Sequence, residues 1–468
     1  MKDKKRKLVL LNYHNYKELG SRLEKSASEG LILERINNTL WTFRKSEPQK
    51  LKYAVTFFNE GSVFSPSPTD NQLNYLELAK SCGWDFVCEY DKVQVFSSTE
   101  DNPIPFETDP HEALDNIHSC SKKFISCNIL VLAVFLLNLG IKIYSMFVNP
   151  ILFFDDSQDI LSTIIISLVS LIFLFDIVDY FNWHYKSRKL VALGEDIPNT
   201  YTKKKYFIRI ALTWCVFAIV FTVFYDLFNS YGTASIIFPI IYFFLITIIP
   251  VFILRLLKRL NISATTSKLI MSISSFLLVI ISMYILISSI SNSNTNHMTE
   301  KRYKEIEITS SNGESNTERI YIDDIPLKYQ DLYPIDTSDT IHSCKADIDS
   351  SYLLTSKEYT HEIYNLEDNT TLRYEVYNSP YNFVIDLVAN EILNRLKGRD
   401  LHLNEPLPIN ISDSRVKSAY TMLDTYTFEH DTTGYHVIIS DNTLIVVYLS
   451  DFASDDQLTT IVDKLLAK

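Results

Sequence analysis

Residues 81–86, Ser81-Cys82-Gly83-Trp84-Asp85-Phe86, stop a helical run, YLELAKS (75–81), at a glycine and turn at once into a tryptophan-led strand. The chain does the same earlier, in LEKSASEGLIL (23–33). Residues 23–43 align without a gap onto 76–96, so that Leu23, Glu24, Ser28, Gly30 and Phe43 match Leu76, Glu77, Ser81, Gly83 and Phe96. Apolar character also matches at Leu31 with Trp84, Leu33 with Phe86 and Leu40 with Val93. Each copy reads as a helix, a C-cap glycine free to take positive φ, and a hairpin turning at INNT or YDK, where Asn and Asp tolerate the left-handed region. An alternating strand precedes each helix, KLVLLNY (7–13) and LKYAVTFF (51–58). Residues 1–98 are therefore expected to be an α+β domain built from a duplicated β-α-β-β unit. Gly83 is its helix stop and Trp84 opens the strand beneath that helix. Trp41, Phe43, Trp84, Phe86 and Phe96 could stack a ligand, but they read more simply as the packed face of the sheet.

These elements resemble the domain-of-unknown-function 2812 family of mostly Gram-positive membrane proteins. The carrying residues are the paired Leu-x6-Gly elements (Leu23 to Gly30, Leu76 to Gly83), the Gly83-Trp84 dipeptide, the aromatic strand ends at Phe43 and Phe96, and the acidic FETDPHEALDNI (106–117). The first copy has Leu31 where the second has Trp84. Members often lie beside small PadR-like transcription regulators, so the resemblance implies a signalling or regulatory membrane protein that meets a cytoplasmic protein partner.

The apolar residues concentrate between Phe124 and Ile290 in runs near the ~20 residues that cross a bilayer. Five spans are read, at 124–148, 158–182, 206–229, 233–254 and 268–290, joined to the first domain by a Pro- and Asp-rich linker, 99–123, expected to be a semi-extended tether. Lys122 and Lys123 precede the first span; Lys186, Arg188, Lys189 and Lys203–Lys205 fill the second-to-third loop; Arg255, Lys258, Arg259 and Lys268 fill the fourth-to-fifth. The alternate loops, NPILFFDDSQD and FNSYGTAS, carry no Lys or Arg. Positive charge on one side places the N-terminus in the cytoplasm and the C-terminus outside a multi-pass cell-membrane protein. The basic opening MKDKKRK is followed only by LVLL, without the h-region of a secretory signal.

Ionisable residues stand near the span ends: Lys142 and Asp226 at the outer level, and Asp176, Asp179 and Arg209 at the inner level. Asp176 and Asp179 share a helix face. A proton or ion path is one reading; depth-matched ion pairs and snorkelling groups are the simpler one. The middle of each span is apolar, which argues against a translocation pathway.

Residues 291–468 form the third domain, expected to be an acidic extracytoplasmic α+β domain. They hold 30 Asp plus Glu against 15 Lys plus Arg, a net −15, so residues 1–290 carry +3 of the whole-chain −12. Such a surface could draw cationic peptides or another envelope ligand, or simply stay solvated. YKEIEIT, RIYIDDI and TLRYEVYN read as strands, and GYHVIISDNTLIVVYLS as a hairpin through Asp441-Asn442. SPYNFVIDLVANEILNRLKG reads as a helix, with Phe383, Val384, Leu387, Val388, Glu391 and Ile392 in its 3.6-residue period. RVKSAYTMLDTY reads as a second helix and SDDQLTTIVDKLLAK as a last one capped by Ser454.

Chemistry is sparse. Asp323, Asp324, Asp331, Asp336 and Asp339 lack the DxDxDG spacing of a calcium loop. His342, His361, His402, His430 and His436 are scattered, as are His14, His111 and His118, and the six cysteines form no CxxC. There is no GxGxxG, GxxxxGK[ST] or GxSxG. The expectations are no enzyme, no cofactor, no metal and no direct nucleic-acid binding, with the bilayer and a cytoplasmic protein as partners. The chain would be a membrane sensor or regulator, possible action on a PadR-like regulator being implied by the resemblance. The alternatives are an envelope immunity or transport-accessory protein against cationic antimicrobial peptides and, far behind, a membrane enzyme using Asp176, Asp179 and His184.

Overall fold

The computed structural model describes residues 4–9, 13–37, 40–65, 68–105, 109–231, 248–293, 303–309, 315–333, 340–364, 370–398, 405–424, 433–449 and 453–466. The chain divides into two compact units, Met1–Leu137 with Ile165–Asn292, and Asn138–Ile164 with Ser293–Lys468.

The first unit opens with the duplication. Strand β1 (Lys4–Leu8), helix α1 (Tyr16–Ser28) and strands β2 (Leu31–Arg35) and β3 (Leu40–Lys45) form one copy. Strand β4 (Lys52–Phe57), helix α2 (Asp70–Ser81) and strands β5 (Asp85–Tyr90) and β6 (Val93–Ser98) form the other. Both sheets are antiparallel with the same order, β1-β3-β2 and β4-β6-β5. The repeat extends to an irregularity: the register shifts between Leu33 and Arg35 in one copy and between Phe86 and Cys88 in the other, positions that correspond in the alignment. Gly30 (φ +79°) and Gly83 (φ +85°) follow the two helices, and Asp91 (φ +54°) takes the left-handed conformation in the second hairpin turn. In the first, INNT turn, Asn38 and Thr39 lie outside the described residues. Leu19, Leu23 and Ala27, one stripe of α1, bury against Trp41, Phe43, Tyr53 and Val55. Trp84 closes the second helix on Ala79 and Phe96, its indole N–H donating to the Ile104 carbonyl at 2.7 Å. Four of the five aromatics are thus packed, whereas Phe86 is exposed.

The helical region comprises α3 (Pro110–Val148), α4 (Pro150–Asp155), α5 (Ser157–Val191), α6 (Lys203–Tyr231), helical residues 248–259 (α7) and α8 (Ala264–Ser293). Among the described residues three helices are long and apolar enough to cross a membrane: α3, α5 and Lys203–Thr222 of α6. Much of the expected span 233–254 lies outside the described residues, as do the side chains in the second half of 268–290. The linker differs from its expectation. It is helical from Pro110 and runs without a break into the first span, because Asp109 caps the His111 N–H and Ala113, Leu114, Ile117 and Cys120 repeat at helical spacing against a partner surface.

In the second unit, β7 (Tyr303–Thr309) pairs with β8 (Ser315–Tyr321), followed by the short α9 (Tyr329–Leu332). Strands β9 (Ile341–Ser350), β10 (Thr355–Tyr364), β11 (Thr370–Asn378), β12 (Leu407–Ile409), β13 (Ser418–Asp424), β14 (Thr433–Ile439) and β15 (Thr443–Leu449) make an antiparallel sheet ordered β12-β13-β14-β15-β11-β10-β9. Helices α10 (Asn382–Gly398) and α11 (Asp455–Leu465) pack on it. The expected helix in RVKSAYTMLDTY is strand β13. A short apolar run lacks the length to settle its period, and pairing with β14 over Ser418–Asp424 decides it. Ser454 caps α11 in a box with Gln457.

Both cap glycines occupy a conformation that costs an L-residue about 1–2 kcal/mol. A Cβ at Gly30 would in addition meet the Ser46 carbonyl oxygen at 2.7 Å, whereas at Gly83 it would meet only the flexible Glu100 carboxylate at about 3 Å. Gly30→Ala is expected to destabilise by more than 2 kcal/mol and Gly83→Ala by about 1–2 kcal/mol in denaturant titrations of the detergent-solubilised protein. Equal losses would show that the Ser46 backbone yields freely.

Candidate functional site

The site is built around helix α5. At ~1.5 Å per residue its 35 residues extend about 52 Å, well beyond the ~30 Å of hydrocarbon. The helix is thus longer than a crossing requires, and side chains near each end are held by other elements.

Toward the C-terminal end, Asp176, Asp179, Tyr180 and Trp183 fall at i, i+3, i+4 and i+7, one helix face. A 3-10 turn, Tyr13–Asn15, sets His14 at the entrance to α1. His14 Nε2 donates to Asp179 Oδ2 at 2.9 Å, and its ring is buried against Tyr180 and Trp183. Lys205 Nζ takes the other Asp179 oxygen, and Arg209 Nη2 stands 2.9 Å from Asp176 Oδ2. Two carboxylates on α5 thus meet two cations one turn apart on α6. Lys17 Nζ donates to the Ile197 carbonyl at 2.7 Å, and Arg22, paired with Glu18, stacks over Tyr201 and Tyr206. A cleft beside the ladder is lined by Asn15, Arg22, Tyr201, Tyr206 and the two ion pairs. On the next face, α3 packs its 110–123 stretch on Phe57, Tyr180 and Trp183, while Asn116 Nδ2 donates to the Phe57 carbonyl at 2.8 Å. His118 Nδ1 lies 2.7 Å from the Tyr180 hydroxyl, and its ring stacks on His184 at 4.5 Å. Within this unit the duplicated domain is held to α3, α5 and α6 by charge, hydrogen bonds and aromatic packing together.

At the N-terminal end, in the second unit, the six-residue α4 leads into α5. Phe153 and Phe154 are buried with Ile160 in the core formed by Val384, Val388 and Ile392 of α10 and the face of the sheet. Pro150 has no N–H, and Asn149 makes no side-chain cap, so the Ile151 N–H is an orphan donor. Glu391 Oε2 accepts it at 2.8 Å. Burial raises the Glu391 carboxyl above its ordinary pKa, outweighing the lowering by that hydrogen bond. Ser351 Oγ donates to the Phe154 carbonyl, Ser356 Oγ to Asp155 at 3.0 Å, and Lys142 pairs with Asp159. Within the second unit the sheet and α10 thus complete their core with α4 and the start of α5.

Gly30 and Gly83 stand at positive φ after their helices, and Trp84, Phe43 and Phe96 are buried. Lys142 meets Asp159; the Asp226 side chain lies outside the described residues. Asp323 accepts from the Ala346 N–H, and Asp331 from the Lys328 N–H and from Lys464. Asp336 and Asp339 lie outside the described residues. Besides His118 and His184, the described histidines include another close pair: His361 Nδ1 accepts from the Tyr329 N–H at 2.9 Å, which leaves Nε2–H to donate to His342 Nδ1 at 3.1 Å. Glu375 is buried, accepting from the Tyr377 and Tyr448 hydroxyls and lying 3.4 Å from Arg395. Among the described residues no three His, Cys, Asp or Glu gather to hold a metal. In the sequence His14, Lys205, Phe153, Phe154 and Glu391 have no site role, although they stand in a scattered histidine set, a basic loop, an apolar loop and a helical period. Two of the signals were present: an apolar ILFF in a loop between spans, and a carboxylate within the apolar period of α10.

Residues 15–129 match the family described as a protein of unknown function, DUF2812, so the resemblance carried by the paired Leu-x6-Gly elements holds over the N-terminal region. No curated protein and no solved structure matches the chain. The matched region runs from the entrance of α1 through both sheets into α3.

Removing one partner of a buried ion pair costs about 3–5 kcal/mol where burial is complete. Asp179→Ala is expected to lose about 2–4 kcal/mol and to raise hydrogen exchange at residues 13–28; unchanged exchange there would exclude a clamp. Burial, then the neighbouring His342, pushes His361 down to about 4. The unfolded chain, near 6.5, binds the proton first, so the C-terminal sheet domain should keep full stability above pH ~6.5 and lose up to roughly 3 kcal/mol between pH ~6.5 and ~4. His361→Asn should flatten that stretch of a pH-dependent unfolding series.

Proposed function

We propose that the protein is a membrane-embedded sensor or regulator that relates an extracytoplasmic α+β domain to a cytoplasmic protein-interaction domain. The proposed topology has five crossings, with the N-terminus inside and the C-terminus outside. Three helices of crossing length, the two further apolar runs in the sequence, and the placement of Lys and Arg on alternate loops support it. The observation that carries the reading is the continuity of α5. One unbroken helix has its outer approach buried in the sheet domain's core through Phe153, Phe154 and Ile160, and its inner end bonded to the duplicated domain through Asp179 and His14. A helix satisfies its own backbone in lipid and resists bending, so displacement at one end carries to the other. The partner is a cytoplasmic protein, a transcription regulator of the PadR-like kind being the first candidate from the family resemblance.

The test is recovery of cytoplasmic partners on tagged full-length protein from membranes, wild type beside Phe154→Ser. A specific partner whose yield changes several-fold with a substitution in the outer loop supports the reading. No partner, or the same yield from both chains, contradicts it. Cysteines placed at 311 and 66 fix the topology: an impermeant thiol reagent on intact cells should label the first and spare the second.

A further inference from the structure

We propose that Leu152, Tyr381 and Phe383 form an apolar foot by which the C-terminal sheet domain rests in the headgroup layer of the outer leaflet. The proposal rests on the reading of α3 and α5 as membrane spans. Within the second unit, α4 is joined to α3 by Asn149 alone and to α5 by Asp156 alone, so a helix of six residues has no room to leave the bilayer boundary. Whatever packs on α4 shares its depth. Phe383, in the first turn of α10, sets its ring edge-on to Phe154 at 6.3 Å, and Tyr381 lies against Phe383 at 6.0 Å. Both rings nevertheless keep about half their surface open (49% for Tyr381, 53% for Phe383), and Leu152 on α4 is 70% exposed.

Lipid is the occupant that fits. Tyr144 and Phe147 in the last turns of α3 are both more than 60% exposed, and Leu152 stands only five residues beyond Phe147 in the chain. Exposed apolar side chains so near the end of a lipid-facing helix meet the same solvent. Tyr and Phe bodies with polar surroundings suit the interfacial layer, where aromatic residues concentrate. Charge cannot supply the contact, because residues 291–468 carry a net −15 and anionic headgroups repel them.

Full-length protein in nanodiscs, with the photoreactive benzoylphenylalanine placed in turn at positions 152, 381, 383 and 407, gives the test. Leu407, on the edge strand β12, is exposed to a similar degree, at 52%. Lipid adducts at 152, 381 and 383 several-fold above those at 407 support the foot. Adducts at 152 but only background at 381 and 383 overturn the foot while leaving the spans in place. Background at all four positions overturns both the foot and the span reading. Cross-linked dimers at 381 or 383 assign the face to a second copy of the chain, and equal lipid adducts at 407 remove any special role for the rim; either result overturns the proposal.

Discussion

A bilayer offers no partner to an open backbone group, so a helix, whose hydrogen bonds are internal, is one of the few structures that can cross it. In this protein α5 runs unbroken over 35 residues and is long and apolar enough to cross a membrane. Toward its C-terminal end Asp179 meets His14 and Lys205, and at its N-terminal end the helix starts beside a loop whose phenylalanines belong to a domain core.

The two grips are chemically different, as their surroundings require. Where α5 meets α1 and α6 its carboxylates are matched, and the duplicated domain supplies a histidine and stacked rings where α6 supplies Lys205 and Arg209. At the N-terminal end of α5 the grip is apolar, with one carboxylate, Glu391, spent on the first free N–H of a helix that begins with proline.

Local punctuation made the duplication legible. Gly30 and Gly83 end helices because only a residue without Cβ sits easily at positive φ there, and the alignment around them carries the strand order and even the register shift. The C-terminal hairpin and the capped last helix were legible for the same reason. Strand β13 was not, because seven residues with a mixed pattern take their state from the neighbour they pair with. The linker misled through composition: proline, aspartate and serine suggest a tether, yet Pro110 opens a helix once Asp109 caps it. The site was the least legible part. His14 and Asp179 are 165 positions apart, and nothing in either neighbourhood names the other. The apolar loop ILFF and the carboxylate in the apolar stripe of α10 were signals of burial, but each needed the other to be interpreted.

The most direct measure of the central claim is a double-mutant cycle across α5, with Phe154→Ala, His14→Ala and the pair, read as unfolding free energies of the protein in nanodiscs. Residues beyond ~10 Å that share no partner add within about 0.5 kcal/mol. If one rigid helix transmits what each grip does, the double variant should depart from the sum by more than 0.5 kcal/mol. Simple additivity would mean that the two ends of α5 act independently, and the coupling account would fail.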